Sequence, residues 1–116
     1  MSCIILVAED DVLVRNTARL LLQAEGHETL VATDGYEALE LSRQYGGTID
    51  MLITAVKMPG MDGLTLVAQI VKERPGIKIL VMSGKSDEVN LLPFLYKPFS
   101  PEVFRAKVRE VLKSGP

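Results

Sequence analysis

The chain has 116 residues, 47% of them hydrophobic and 24% charged, with 13 Lys+Arg against 15 Asp+Glu for a net charge of -2. A length in the range of roughly 100–150 residues and this apolar fraction suit one domain with one core. The near-neutral charge argues against direct nucleic-acid binding, which needs a broad basic field.

In chain order, Ile4 to Val7 is the first predicted strand, apolar at consecutive positions and so covered on both faces, as in a parallel sheet. Val12 to Ala24 is predicted helical, with Val12, Leu13, Asn16, Leu20 and Ala24 at helical spacing and Gly26 as terminator. The second strand is the weaker run Thr29 to Thr33. Asp34 with Glu37 three residues on forms a capping-box signal for the next helix, whose apolar side is read as Tyr36, Ala38, Leu39 and Leu41. Met51 to Ile53 is the third strand, Met58 to Gly63 a loop, and Leu64 to Lys72 a helix that stops before Pro75. Ile79 to Met82 is the fourth strand and Phe94 to Tyr96 a short fifth. Ser100-Pro101-Glu102 opens the last helix with a cap, a proline at the first position and an acid in the first turn, and Phe104, Val108, Val111 and Leu112 form its apolar stripe.

Strands alternating with helices predict an α/β three-layer sandwich around a parallel sheet, built with right-handed crossovers and occupying residues 1–116 as one domain. One connection is short: Gly84 to Pro93 is ten residues, at the lower limit of roughly 10–12 for a crossover with its helix. The fourth helix is therefore expected to be shortened or missing. The early apolar run, Cys3 to Ala8, is too short to span a bilayer and no basic segment precedes it, so neither a signal peptide nor a membrane helix is expected and the compartment is read as cytoplasmic. A lone Cys3 permits no internal disulfide and reads as a small buried hydrophobe.

Ligands of open α/β sheets bind beyond the carboxyl ends of the strands. There the sequence places Glu9-Asp10-Asp11, then Thr54-Ala55-Val56-Lys57, then Ser83-Gly84, then Lys97-Pro98. Singly, Asp10 or Asp11 could be a helix cap and Lys97 a solvated charge. Together they suggest a small metal-plus-phosphate pocket: Mg²⁺ takes one or two carboxylates, which Glu9 and Asp10 supply, while Lys97 and the Ser83 hydroxyl meet phosphoryl oxygens.

These segments resemble the receiver domain of bacterial two-component response regulators, the CheY-like fold. The resemblance rests on Ile5 to Asp11, on Asp50 to Thr54 leading into Val56-Lys57-Met58-Pro59-Gly60-Met61-Asp62-Gly63, on Val81 to Gly84, and on Tyr96-Lys97-Pro98-Phe99, and it covers nearly the whole chain. It implies a flavodoxin-like sheet ordered 2-1-3-4-5 and a switch in which an aspartate ending strand three accepts a phosphoryl group from a histidine kinase or phosphotransfer protein. By the same resemblance Glu9, Asp10 and the Lys57 carbonyl hold Mg²⁺, Ser83 is the switch hydroxyl, Lys97 the phosphate-binding lysine, Phe94 the switch aromatic, and Lys97-Pro98 a cis peptide. The acceptor position falls on Ala55.

A methyl group can neither attack phosphorus nor coordinate a cation, so the sequence as written excludes aspartyl phosphorylation there and weakens the metal site. Two explanations stay open: a phosphorylatable receiver altered at one residue, favoured because the rest of the pocket is retained, or a natural pseudo-receiver acting as a phosphorylation-independent interaction module. Different in class is a phosphatase-like hydrolase with Asp10 as nucleophile, against which the Met58 to Gly63 loop and the lack of a capping insertion weigh. No turnover is expected of the first two. A flavodoxin-like cofactor binder fails because the first loop is acidic where phosphate needs hydroxyls and glycines. His27 is read as a solvent-exposed imidazole, Leu91, Leu92 and Phe94 as packing against the last helix or lining a docking edge, and Arg105, Lys107, Arg109 and Lys113 as a solvated basic face. An output domain or protein partner is implied, and Lys113 to Pro116 would suit a domain boundary.

Overall fold

The structure is a computed structural model describing residues 2–84 and 92–114. Its elements run β1 (Ile4–Ala8), α1 (Val12–Ala24), β2 (Glu28–Ala32), α2 (Gly35–Gln44), β3 (Met51–Ala55), α3 (Gly63–Glu73), β4 (Lys78–Ser83), β5 (Phe94–Tyr96) and α4 (Pro101–Lys113). The five strands form one parallel sheet ordered β2-β1-β3-β4-β5. The segment between β4 and β5, where the fourth helix is expected to be shortened or missing, lies largely outside the described residues.

The alternating pleat explains the two buried layers. Ile5, Val7, Met51, Ile53, Leu80 and Met82 face α1 and α4, where they meet Ala18, Leu22, Phe104, Val108 and Val111. Leu6, Ala8, Leu52, Ile79 and Val81 belong to the opposite layer with Ala38, Leu39, Leu66, Val67 and Ile70 of α2 and α3. The central strands are buried on both faces, which is why they read as unbroken apolar runs.

The helix ends follow the sequence signals. Asp11, Asp34, Asp62 and Ser100 each accept backbone N–H bonds as N-caps. After α1, Gly26 at φ +90° lets the Gly26 and His27 amides donate to the Gln23 and Leu22 carbonyls, a Schellman closure. The capping box of α2 differs in one limb: Glu37 Oε1 accepts from the Thr33 amide at 2.6 Å and the Thr33 hydroxyl at 3.1 Å rather than from the cap residue's own N–H.

Several sequence expectations are corrected by packing. On α1, Val12, Leu13 and Leu20 are exposed and the helix is buried through Ala18 and Leu22, with Val14 and Leu21 beside them, because the three consecutive leucines 20–22 straddle two faces and only one can meet the sheet. Tyr36 likewise points to solvent. His27 is half-buried, its Nδ1 accepting the Cys3 amide at 3.0 Å, so it ties the start of β1 to the loop before β2. Leu92 and Phe94 pack on the α2–α3 layer instead of the last helix, and Leu91 lies outside the described residues. No helix among the described residues is long and apolar enough to cross a membrane.

Candidate functional site

A parallel sheet brings all its carboxyl ends to one edge, and the register decides which residues meet there. Ala8 pairs with Thr54, Ala55 with Met82, and Ser83 with Tyr96. Each strand's next step is fixed by a neighbour: the Glu9 amide donates to Ala32 O at 3.1 Å, that of Val56 to Met82 O at 3.0 Å, and that of Lys97 to Ser83 O at 2.9 Å. Glu9, Ala55, Ser83 and Lys97 thus line one edge, as the sequence reading requires. The Lys97–Pro98 peptide is cis, also as expected.

Glu9 is the electrostatic centre. Its side chain is 0% exposed, yet it carries two oxygens that must be satisfied. Oε2 accepts the Asp11 amide at 3.0 Å. Oε1 lies 2.7 Å from the Lys97 ammonium, in a charge contact whose direction leaves Oε1 without a regular hydrogen bond. Burial pushes the Glu9 carboxyl above the ordinary glutamate range, and Lys97 and the Asp11 amide oppose that push. Asp10 next to it is exposed, and Asp11 is the N-cap of α1, its Oδ1 accepting from the Leu13 and Val14 amides at 2.9 and 3.2 Å.

One contributor to this edge was not legible as such in the sequence. Arg15, one turn into α1, donates to Glu9 O at 2.8 Å and to Asp10 O at 3.4 Å, and so pins the acidic loop from below. The only signal was a cation one helical turn after three acids.

The loop after β3 doubles back onto its own strand. Gly63 N donates to Val56 O at 2.7 Å, and a Cβ on Gly63 would lie 1.9 Å from Ala55 O. Asp62 caps α3, its Oδ1 taking the Thr65 amide at 2.8 Å, which holds its carboxyl below the usual aspartate range. Ala55 is fully buried and shares a cluster with Val56 and Met58, while Lys57 is exposed. Lys57, Ser83, Gly84 and Lys97, with Met82, line a shallow cleft of about 180 Å³.

The sequence-derived residues therefore divide. Glu9, Ala55, Lys57, Ser83 and Lys97 come together at the sheet edge; Asp10 stands beside them in solvent; Phe94 sits at the start of β5, half-buried, its ring meeting Tyr96 edge-on at 4.8 Å and 86°. Among the described residues no three His, Cys, Asp or Glu side chains converge to hold a metal. What remains, a buried carboxylate with one under-satisfied oxygen and a second carboxylate in solvent, fits a hard cation such as Mg²⁺ that takes one or two carboxylates and keeps its waters.

Sensor kinase CckA of Brucella abortus (strain 2308) is 36% identical over 120 aligned residues that cover 97% of this chain and 13% of the kinase. The crystal structure of the receiver domain from hybrid histidine kinase CckA superposes with a TM-score of 0.79 at 38% identity, covering 95% of this chain and 99% of that one. The chemotaxis protein CheY4 of Vibrio cholerae superposes with a TM-score of 0.87 at 26% identity, covering 96% and 99%. Against several other curated relatives the chain spans about half their length. Residues 5–109 match the family described as "Response regulator receiver domain". With that match running through both layers and across the carboxyl edge, this chain belongs to the response regulator receiver domain family of two-component systems.

Proposed function

We propose that this chain is a receiver of a two-component phosphorelay whose phosphoacceptor position is Ala55, so that it stays in the unphosphorylated form. The observation that carries this reading is the buried methyl of Ala55 at the carboxyl end of β3, at the sheet edge that also carries Glu9, Ser83 and Lys97. A receiver needs a carboxylate there to attack phosphorus, and a methyl has no lone pair.

In this reading Glu9, Asp10 and the Lys57 carbonyl are the cation ligands, and Mg²⁺ when bound supplies charge neutralisation for phosphoryl transfer. Lys97 brings an ammonium and Ser83 a hydroxyl to the place of the phosphoryl oxygens, and Phe94 is the aromatic whose packing reports on Ser83. Loss of one carboxylate weakens the cation site. The partners are a histidine kinase or phosphotransfer protein and, downstream, an output domain or protein, with no nucleic acid or membrane contacted by this domain itself. The setting is cytoplasmic, and nothing is turned over.

The test is intact mass after incubation with Mg²⁺ and acetyl phosphate, run beside Ala55→Asp. One added phosphoryl group on the variant alone is the expected result. No addition to either protein defeats the acceptor assignment and favours a natural pseudo-receiver, and hydrolysis of a generic phosphate ester, lost in Asp10→Asn, would favour the hydrolase. Ala55→Asp also crowds a third carboxylate into the edge, so in chelator at neutral pH its melting temperature should fall below that of the parent chain, and Mg²⁺ should restore it.

A further inference from the structure

The sheet has a second edge, opposite the acidic loop, where β1, β3 and β4 begin. A cleft of about 600 Å³ opens there beside Cys3, Asp50 and Lys78, within the roughly 300–1,000 Å³ usual for small-molecule sites. It shares no residue with the cleft at the carboxyl edge, so its reading is independent of the receiver chemistry there.

Its polar wall holds more hydrogen-bond donors than the fold uses. Arg74 makes four hydrogen bonds, to Ser42 Oγ and to the carbonyls of Ser42, Tyr45 and Gly47 at 2.7 to 2.8 Å, and a guanidinium has five N–H groups, so one Nη1 hydrogen is left over. Lys78 Nζ gives one of its three hydrogens to the Ser114 carbonyl and keeps two. The amides of Gly46, Gly47 and Thr48 donate to no acceptor among the described residues, and the exposed Thr48 hydroxyl is likewise unused. Successive loop amides of this kind suit an anion.

Charge points the same way. Asp50 is the one carboxylate among the described lining residues, and its Oδ2 is taken by the Ile4 amide at 2.8 Å. Glu73, in the adjoining cleft, is matched by Arg43 at 2.8 Å. The carbonyls that end α2, where the helix dipole is negative, are the ones Arg74 already covers. Arg74 and Lys78 thus face Asp50 alone. A phosphoryl group, with three acceptor oxygens, uses such a donor set more fully than a carboxylate with two. The remaining wall is apolar, with Cys3, Ile77 and Leu112 half-buried along it.

We propose that this cleft binds a small organic phosphate, a phosphomonoester whose phosphoryl group meets the amides of residues 46–48, Arg74 and Lys78 while its carbon body lies on Cys3, Ile77 and Leu112. The ligand is bound and not turned over.

The test titrates phenyl phosphate into the ¹⁵N-labelled full chain in chelator and follows amide shifts. Saturable shifts centred on Gly46, Gly47, Thr48 and Lys78 are expected. Lys78→Gln should weaken binding about fivefold or more, and Thr48→Val about twofold or more. Thr48→Val breaks no contact within the protein and carries the test should Lys78→Gln fail to fold. Inorganic phosphate and benzoate, the two halves of the probe, should each bind more weakly than the ester. Shifts centred on Ser83, Gly84 and Lys97, no saturable shift, or binding unchanged in the folded variants overturns the proposal. Benzoate held as tightly as the ester overturns the phosphate class, and inorganic phosphate held as tightly overturns the role of the apolar wall.

Discussion

Gly63 approaches the Ala55 carbonyl so closely that a Cβ would lie 1.9 Å from the oxygen, with the Val56 Cα at 3.1 Å. Both obstacles are backbone, which cannot swing aside as a side-chain tip can. Gly63→Ala should therefore cost more than about 2 kcal/mol, read from the midpoint of denaturant unfolding, through overpacking at the loop that frames Ala55. Gly46, by contrast, has open space around its Cα, and Gly46→Ala makes a fitting control. In the sequence these two glycines look alike, since each lies in a loop between elements. What separates them is a close approach of backbone to backbone that exists only when α3 is docked.

The connections between elements carry a second layer of specification. Arg74, just after α3, spreads its guanidinium over the end of α2: Nε donates to Ser42 Oγ at 2.8 Å, and the terminal nitrogens donate to the carbonyls of Ser42, Tyr45 and Gly47 at 2.7 to 2.8 Å. These are the acceptors a helix C-terminus leaves over, and Ser42 is buried. Arg74→Ala should destabilise by about 2 kcal/mol in chemical denaturation, and Arg74→Lys should recover only part of it, because an ammonium cannot span the same fork. One residue earlier Glu73 receives Arg43 on both oxygens, at 3.1 and 2.8 Å, and Gln69 at 2.8 Å, which together hold its carboxyl down at about 2 against an ordinary 4.5. A carboxylate lowered on folding contributes stability above its unfolded value and loses it as pH falls through the folded one. Glu73→Gln should therefore flatten the acid limb of the stability curve between pH 4.5 and about 2, most visibly at low ionic strength. Arg43 and Arg74 were unremarked charges in the sequence, because their partners lie 27 to 32 residues away.

At the scale of the molecule, two apolar layers clamp one sheet, and α4 is seated chiefly by Phe104, which is fully buried and stacks on Phe99 at 5.1 Å and 29°. Phe99 follows directly on the Lys97-Pro98 segment, so the layer that seats α4 also braces the strand end that carries the ammonium. Phe104→Ala should lower the unfolding free energy by about 3–5 kcal/mol, and hydrogen exchange should show β5 and α4 opening together. The sequence by itself determined the alternation of elements, the caps Asp11, Asp34, Asp62 and Ser100, the stripe of α4 and the set of residues at the carboxyl edge. It did so because caps, periodicity and strand runs are written within a few neighbouring positions. The family resemblance added the strand order and the cis peptide. Only the tertiary structure decided which face of α1 is buried, that Arg15 braces the acidic loop, and that Lys97 spends its charge on Glu9. Those outcomes depend on groups far apart in the chain meeting across the sheet, where burial gives a lone carboxylate no solvent to turn to and makes the nearest ammonium its partner.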